Sequence, residues 1–205
     1  APRFDTGDAH VLLVLDEGDT HLVEADMAVV AEECTTADPL DSSLVEQWWE
    51  DRNDVAGLAA ITKKGFVFDT MEVTVSWSNL DSCYRSVLDV VGAMDGVRVV
   101  SAHQSHAYSD GACLYFTFAA RPEDPTVREA WYVAAWDVAA RAALSAGASL
   151  SHHHGVGLNR ARFMAEALGS GFEVLVTLKE ALDPQGILNP GKMGLPDRFG
   201  EVFWP

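Results

Sequence analysis

The sequence predicts an α+β fold, a ferredoxin-like antiparallel sheet with helices packed mainly on one face, followed by a C-terminal helical segment. Three observations predict it. Residues 66–77, 97–105 and 112–119 carry the alternation of half-buried strands, helix-spaced apolar stripes lie between and after them, and the resulting order is β, α, short α, β, α, β, β, α. The whole of residues 1–205 is read as one domain, with no repeat, low-complexity tract or interdomain linker.

Taken in order, residues 10–16 read as a strand, and residues 20–34 as a helix with Val23, Met27, Val30 and Cys34 at helical spacing. Residues 44–54 form a short helix carrying Trp48 and Trp49 ahead of Asp51 and Arg52, and the small-residue stretch after it reads as a loop. The strand at 66–77 is followed by Ser78 as a helix cap, with Asp81 in the first turn and Leu80, Tyr84, Val87 and Val91 as the buried stripe. Residues 97–105 and 112–119 make a hairpin around Ser109-Asp110-Gly111, a composition suited to a turn. Asp124-Pro125 starts the longest helix, with Val127, Trp131, Ala134 and Val138 expected on its packed face. Beyond Gly157 a helical run is expected from about Leu158, and Asp183-Pro184-Gln185-Gly186-Ile187-Leu188-Asn189-Pro190-Gly191-Lys192 has the punctuation of successive tight turns, read locally as a rigid clasp.

Composition limits the function classes. A hydrophobic content of 48% is enough for a core in 205 residues, and a net charge of −17 argues against nucleic acid or an anionic membrane as partner. A small ligand or a protein is the better expectation. Cys34, Cys83 and Cys113 are odd in number and set in apolar segments, which suits reduced thiols of a cytoplasmic protein. No apolar run approaches the roughly 20 residues of a membrane span, and no secretory signal opens the chain.

The chemistry concentrates at Ser151-His152-His153-His154-Gly155-Val156-Gly157. Imidazoles titrate near neutrality, so His152, His153 and His154 are candidates for general acid and base work. On an extended backbone His152 and His154 would face one way and His153 the other, and one site would use one subset. Gly155 and Gly157 permit a sharp turn or close backbone approach to a ligand. A chance surface cluster and a metal site compete with this reading, although consecutive histidines fit one tetrahedral ion poorly, and no metal is assigned.

The histidine triplet and the Asp-Pro-x-Gly-Ile-x-Asn-Pro-Gly-Lys tail together resemble the C-terminal cap or substrate domain of FAD-linked oxidases of the vanillyl-alcohol-oxidase type. Within that superfamily the chain is most similar to the alkylglycerone-phosphate synthases, also called alkyldihydroxyacetonephosphate synthases, and their bacterial relatives. Asp69-Thr70-Met71-Glu72, Ser105-His106-Ala107-Tyr108 and Gly111-Ala112-Cys113-Leu114-Tyr115-Phe116 carry further resemblance, which runs from about His10 to Leu195. It implies a flavin enzyme that exchanges the acyl group of acyl-dihydroxyacetone-phosphate for a fatty alcohol without net redox, in ether-lipid synthesis. It further implies His152, His153, His154 and Tyr115 as catalytic residues, with His153 or His154 the proton carrier. Arg52 would bind the phosphate of a lipid-like substrate, as a guanidinium can with two parallel hydrogen bonds. Asn189 and Lys192 would contact the cofactor.

Blander roles stand beside these. Tyr115 can be a core residue with a locally satisfied hydroxyl, Arg52 a solvated helix charge paired with Glu50 or Asp51, and Trp48, Trp49, Trp131 and Trp136 packing groups. His103 and His106, three positions apart, could join a metal or substrate site, but in a strand-turn region they read as exposed and secondary. No glycine-rich dinucleotide fingerprint occurs, so the FAD-binding domain, N-terminal in the resembled family, is expected to be absent here and the chain alone inactive. FAD would belong to the complete enzyme, with that domain as partner, and a homo-oligomer is left open. A flavin-dependent 2-hydroxyacid dehydrogenase cap domain is the alternative enzyme, although its His-Gly-Asp-Gly-Asn-x-His and Glu-His-Gly motifs are missing. A noncatalytic binding module is the alternative outside enzymes.

Overall fold

The computed structural model describes residues 11–54 and 56–200, with the backbone alone at 56–59. Two compact units divide the chain, Ala1–Gly57 and Leu58–Pro205. In the first, helix α1 (Thr20–Glu33) is capped by Asp19, whose carboxylate accepts the His21 amide at 3.0 Å. Val23, Val30 and Cys34 are half-buried while Met27 is exposed. Helix α2 (Ser43–Asp51) follows. The strand expected at 10–16 is not formed over the residues described: His10 lies outside them, and 11–17 have no regular structure and no pairing strand among the described residues. The expected loop after α2 is instead helix α3 (Ala56–Lys63), since Ala56, Leu58, Ala59 and Ala60 are good helix formers despite their small size.

The second unit is built on an antiparallel sheet of β1 (Val67–Ser76), β2 (Val97–Ala107) and β3 (Gly111–Ala120), in the order β1-β3-β2. β2 and β3 form the expected hairpin, closed where the Tyr108 amide donates to the Gly111 carbonyl at 2.8 Å. Alternation gives the sheet two unlike faces. Met71, Val73 and Val75 of β1 and Leu114, Phe116 and Phe118 of β3 are buried on one of them, against helices α4 (Leu80–Gly92) and α5 (Arg128–Ser145). Removing the ring of Phe116 or Phe118 would cost about 3–5 kcal/mol in transfer and cavity energy. The opposite face carries Glu72 and Thr74 of β1 and Tyr115 and Thr117 of β3.

Helix α4 buries Cys83, Val87 and Val91, with Leu80 and Tyr84 half-buried beside them. Burial pushes the Cys83 thiol up to about 11, so Cys83 packs as a neutral group. Ser78 is not the helix cap. It sits inside a 3-10 turn, Trp77–Asn79, with its hydroxyl 3.0 Å from the Ser76 hydroxyl, so Asn79 is the residue flanking α4. Asp124 and Pro125 do start the long helical run: Asp124 accepts the Thr126 amide at 2.8 Å, and a 3-10 turn, Pro125–Val127, leads into α5. The packed face of α5 keeps Trp131 and, half-buried, Val138 of the four residues expected there. Trp131, Ala135, Trp136, Ala139, Ala140 and Ala143 are buried, whereas Val127 and Ala134 are exposed. A four-residue alanine spacing lets α4 approach closely, which a larger side chain at those positions would prevent.

Where a helix was expected from Leu158, the chain makes turns as far as a 3-10 segment, Ala161–Phe163, followed by helices α6 (Met164–Leu168) and α7 (Gly171–Leu182). The clasp after α7 is organised by Asp183. Its carboxylate accepts the Ile187 amide at 3.1 Å, the Leu188 amide at 2.9 Å and the Lys179 ammonium, which also reaches the Leu188 carbonyl. The Lys179 hydrogen bond foremost, with the two amides, lowers the Asp183 carboxyl to about 2. A carboxyl depressed on folding stabilises the fold above its unfolded value, and that contribution is lost as pH falls through the folded value. Wild type should therefore exceed Asp183→Asn in urea midpoint at neutral pH, with the gap closing between pH 3.8 and about 2. An unchanged gap below pH 2 would assign the stability to something other than the carboxylate.

Candidate active site

Glu72 projects from β1 on the sheet face opposite the helices, directly beside Tyr115 of β3, which in turn neighbours His103 of β2. Although ionisable, Glu72 is fully buried. An uncompensated carboxylate there would be costly, and this one is surrounded by donors. The Ser151 hydroxyl donates to Oε1 at 2.6 Å, the amides of His153 and His154 to Oε1 at 3.3 and 2.7 Å, and the His152 amide to Oε2 at 3.2 Å. Arg160, itself buried, donates from Nη2 to Oε2 at 3.2 Å and from Nη1 to the Gly155 carbonyl at 2.9 Å. Burial pushes the Glu72 carboxyl up, but the Ser151 and amide hydrogen bonds and the Arg160 charge outweigh it and hold the group below its ordinary range.

Three successive amides on one carboxylate require a curled backbone, so the triplet is not extended and does not sort into two faces. All three imidazoles converge. His152 Nδ1 and His153 Nδ1 are 2.9 Å apart, and the His153 and His154 ring centres 4.3 Å apart. His154 shares a hydrogen bond of 3.0 Å between Nε2 and the Tyr115 hydroxyl, while its Nδ1 lies 3.5 Å from Glu72 Oε1. Gly155 and Gly157 end the segment at φ of 75° and 57°, values that disfavour any side chain, with open space around both. Backbone conformation, not close approach, is what these two glycines supply.

The chain reaches this position along the edge of the sheet. Ser149 donates its amide to the Thr74 carbonyl at 2.8 Å and its hydroxyl oxygen accepts the Thr74 amide at 2.9 Å, covering the free side of β1 just before the triplet. Asp69, near the start of β1, accepts the Tyr132 hydroxyl at 2.6 Å and the Trp136 indole N–H at 2.8 Å, fixing α5 to the same strand.

Some groups near the site are secondary in the sequence reading, as His103 and His106 are, or are not singled out by it. The Tyr108 hydroxyl is 2.7 Å from His152 Nε2, and the His106 and His152 ring centres are 4.9 Å apart. Desolvation, reinforced by the like charge of His106, holds the His103 imidazole below the usual histidine range. Glu72, Ser151 and Arg160 were not picked out as site residues either. An acid at an alternating position of an otherwise apolar strand was the available signal for Glu72. His106, Cys113 and His152 each place a donor atom within 4.8 Å of the others, a set that could be adapted to a metal ion. Burial raises the Cys113 thiol, against a lowering Ser105 hydrogen bond and with the Glu72 charge adding to the rise, so a metal there would first have to displace the thiol proton.

The remaining candidates lie elsewhere. Asn189 and Lys192 are exposed on the clasp, Asn189 in a left-handed conformation with its carbonyl accepting the Lys192 amide at 3.3 Å. Neither side chain makes a hydrogen bond among the described residues, so both are available to a ligand. Arg52 belongs to the first unit, where its guanidinium stacks 3.4 Å from the centre of the Trp49 ring and donates to the Trp49 carbonyl, rather than pairing with Glu50 or Asp51. Trp48 and Trp49 are exposed and do not serve as buried packing groups, whereas Trp131 and Trp136 are buried as expected.

The family described as "FAD linked oxidases, C-terminal domain" matches residues 2–193. An FAD-linked oxidoreductase, YgcU, of Escherichia coli O157:H7 is 27% identical over 88% of this chain and 40% of its own length. The alkyldihydroxyacetonephosphate synthase of Dictyostelium discoideum is 32% identical over 75% of this chain and 26% of its own. A solved alkyldihydroxyacetonephosphate synthase structure aligns with a TM-score of 0.54 at 25% identity, over 84% of this chain and 30% of that one. The chain thus spans well under half the length of these relatives. The family model covers most of the sequence, and the chain belongs to the C-terminal domain family of FAD-linked oxidases.

Proposed function

We propose that this chain is the substrate domain of a flavoenzyme of the alkylglycerone-phosphate synthase type, exchanging the acyl group of acyl-dihydroxyacetone-phosphate for a fatty alcohol. The observation that carries this reading is the Glu72–His154–Tyr115 line, in which a buried carboxylate orients an imidazole whose far nitrogen meets a phenol at 3.0 Å. Similarity to two alkyldihydroxyacetonephosphate synthases supports the substrate class. The match to FAD-linked oxidases supports FAD as the cofactor of the complete enzyme, held largely by a separate N-terminal domain. The unpaired Asn189 amide and Lys192 ammonium fit contacts to such a polar, phosphate-bearing group and would hold it from this side. Bound FAD would supply the electrophilic and electron-accepting chemistry that protein side chains lack.

The residues of this chain handle protons and position substrate. Glu72 beside Nδ1 favours the His154 tautomer with its proton on Nδ1, leaving Nε2 to accept the Tyr115 proton. Tyr115 can then give or take a proton at a substrate oxygen, while His153, in ring contact with both His154 and Tyr115, provides a second exchange route. For the substrate phosphate we propose Arg52, on the family resemblance. No helix among the described residues is long and apolar enough to cross a membrane.

The decisive experiment reconstitutes the chain with its flavin domain and assays acyl-to-alkyl exchange beside 2-hydroxyacid oxidation. Exchange is expected, and hydroxyacid turnover without exchange would replace this reading with the dehydrogenase one. Substituting alanine for His153 and His154 should lower exchange at least about a hundredfold, the scale of general acid and base catalysis. Wild-type turnover in both single variants would remove the assigned role. Glu72→Gln should lose turnover and also about 3 kcal/mol of stability, because the buried Arg160 guanidinium is left without its counter-charge. Denaturant unfolding of the variant at wild-type midpoint would refute that placement.

A further inference from the structure

A second polar site lies at the other end of the sheet from the histidine loop. Arg98 at the start of β2, Arg121 just beyond β3 and Arg128 at the first residue of α5 line, with Pro122, Glu123 and Pro125, a surface groove of about 450 Å³. Pairing of Val97 with Ala120 sets Arg98 and Arg121 on neighbouring strands, and the Arg121 amide donates to the Gly96 carbonyl at 2.9 Å, closing that end of the hairpin.

We propose that this groove binds a phosphate-bearing dianion. The chain has 31 acidic residues for 14 lysines and arginines, so arginines have partners in excess. Yet none of these three forms an ion pair among the described residues, and the groove sets three guanidiniums against one carboxylate. Like charges gathered without counter-charge repel one another, and Arg128 adds a cation to the first turn of α5, where the helix dipole disfavours it. Its position is nevertheless fixed. The Arg128 guanidinium lies over Gly65, where a Cβ would fall 2.5 Å from Nη2, and its Nε is buried without a hydrogen-bond partner. A tetrahedral dianion offers oxygens in several directions to planar forks arriving from separate elements, which a single carboxylate does less well. This anion site is independent of the histidine loop and of the exchange reaction.

The test is titration of the 205-residue chain with inorganic phosphate at low salt, followed by NMR at the arginine side chains and at the backbone amides of 96–98, 121, 123, 124 and 126–128. Parallel arms use phosphatidylcholine vesicles with and without phosphatidic acid. Saturable shifts confined to the groove are expected, weakened at least about tenfold by Arg121→Gln or Arg98→Gln, the scale of a hydrogen bond to a charged group. Binding of free phosphate identifies a soluble ligand, and binding only of phosphatidic acid vesicles identifies a lipid headgroup. Absence of saturable shifts in both arms overturns the proposal, as does unchanged affinity in a variant that combines Arg98→Gln and Arg121→Gln. The wild-type titration decides the matter alone if that variant does not fold.

Discussion

A carboxylate removed from water must have its lone pairs met by donors, and Glu72 meets that demand by drawing together parts of the chain far apart in sequence. Ser151, three successive backbone amides and Arg160 all converge on it, so the strand that carries Glu72 also dictates the path of the histidine loop. An unpaired ion at this depth would cost several kcal/mol. The curl of the loop is thus enforced by electrostatics, and the direction of each imidazole follows from the curl.

That enforcement depends on the sheet having unlike faces. Helices α4 and α5 cover one face with apolar contacts, and their packing holds β1 and β3 in a fixed register. Register then places Glu72 beside Tyr115 and Tyr115 beside His103 on the other face. A slip of one residue would turn Glu72 into the apolar core and expose Val73 or Met71, so the same burial that stabilises the fold also fixes the chemistry. Asp69 reinforces this from the helix side by anchoring Tyr132 and Trp136. The two ends of the sheet carry different polar groups, imidazoles and phenols at one and, at the other, guanidiniums that form no ion pair among the described residues.

Local signals in the sequence were reliable where they concerned a single element. Alternation located β1, β2 and β3, Asp124-Pro125 marked the start of the long helical run, and the glycines after the histidines marked a change of backbone direction. Signals failed where a partner was needed. Residues 11–16 have strand character but no strand to pair with, and Ala56, Ala59 and Ala60 look like loop residues until their helix propensity is weighed. Packing selected the face of α5 that carries Trp131, Ala135, Ala139 and Ala143, with Val138 at its margin, and left Val127 and Ala134 exposed.

The sequence by itself determined the α+β order and the chemical character of the histidine loop, because each is written in residue type and short spacing, whereas Tyr115 was tied to that loop only by the family resemblance. Only the tertiary structure decided that all three histidines share one site, that Glu72 orients them and that Tyr108 and His106 join them. Those outcomes rest on contacts spanning the chain, such as Glu72 with Ser151 and Tyr115 with His154, whose geometry is set by desolvation and sheet register rather than by any local pattern.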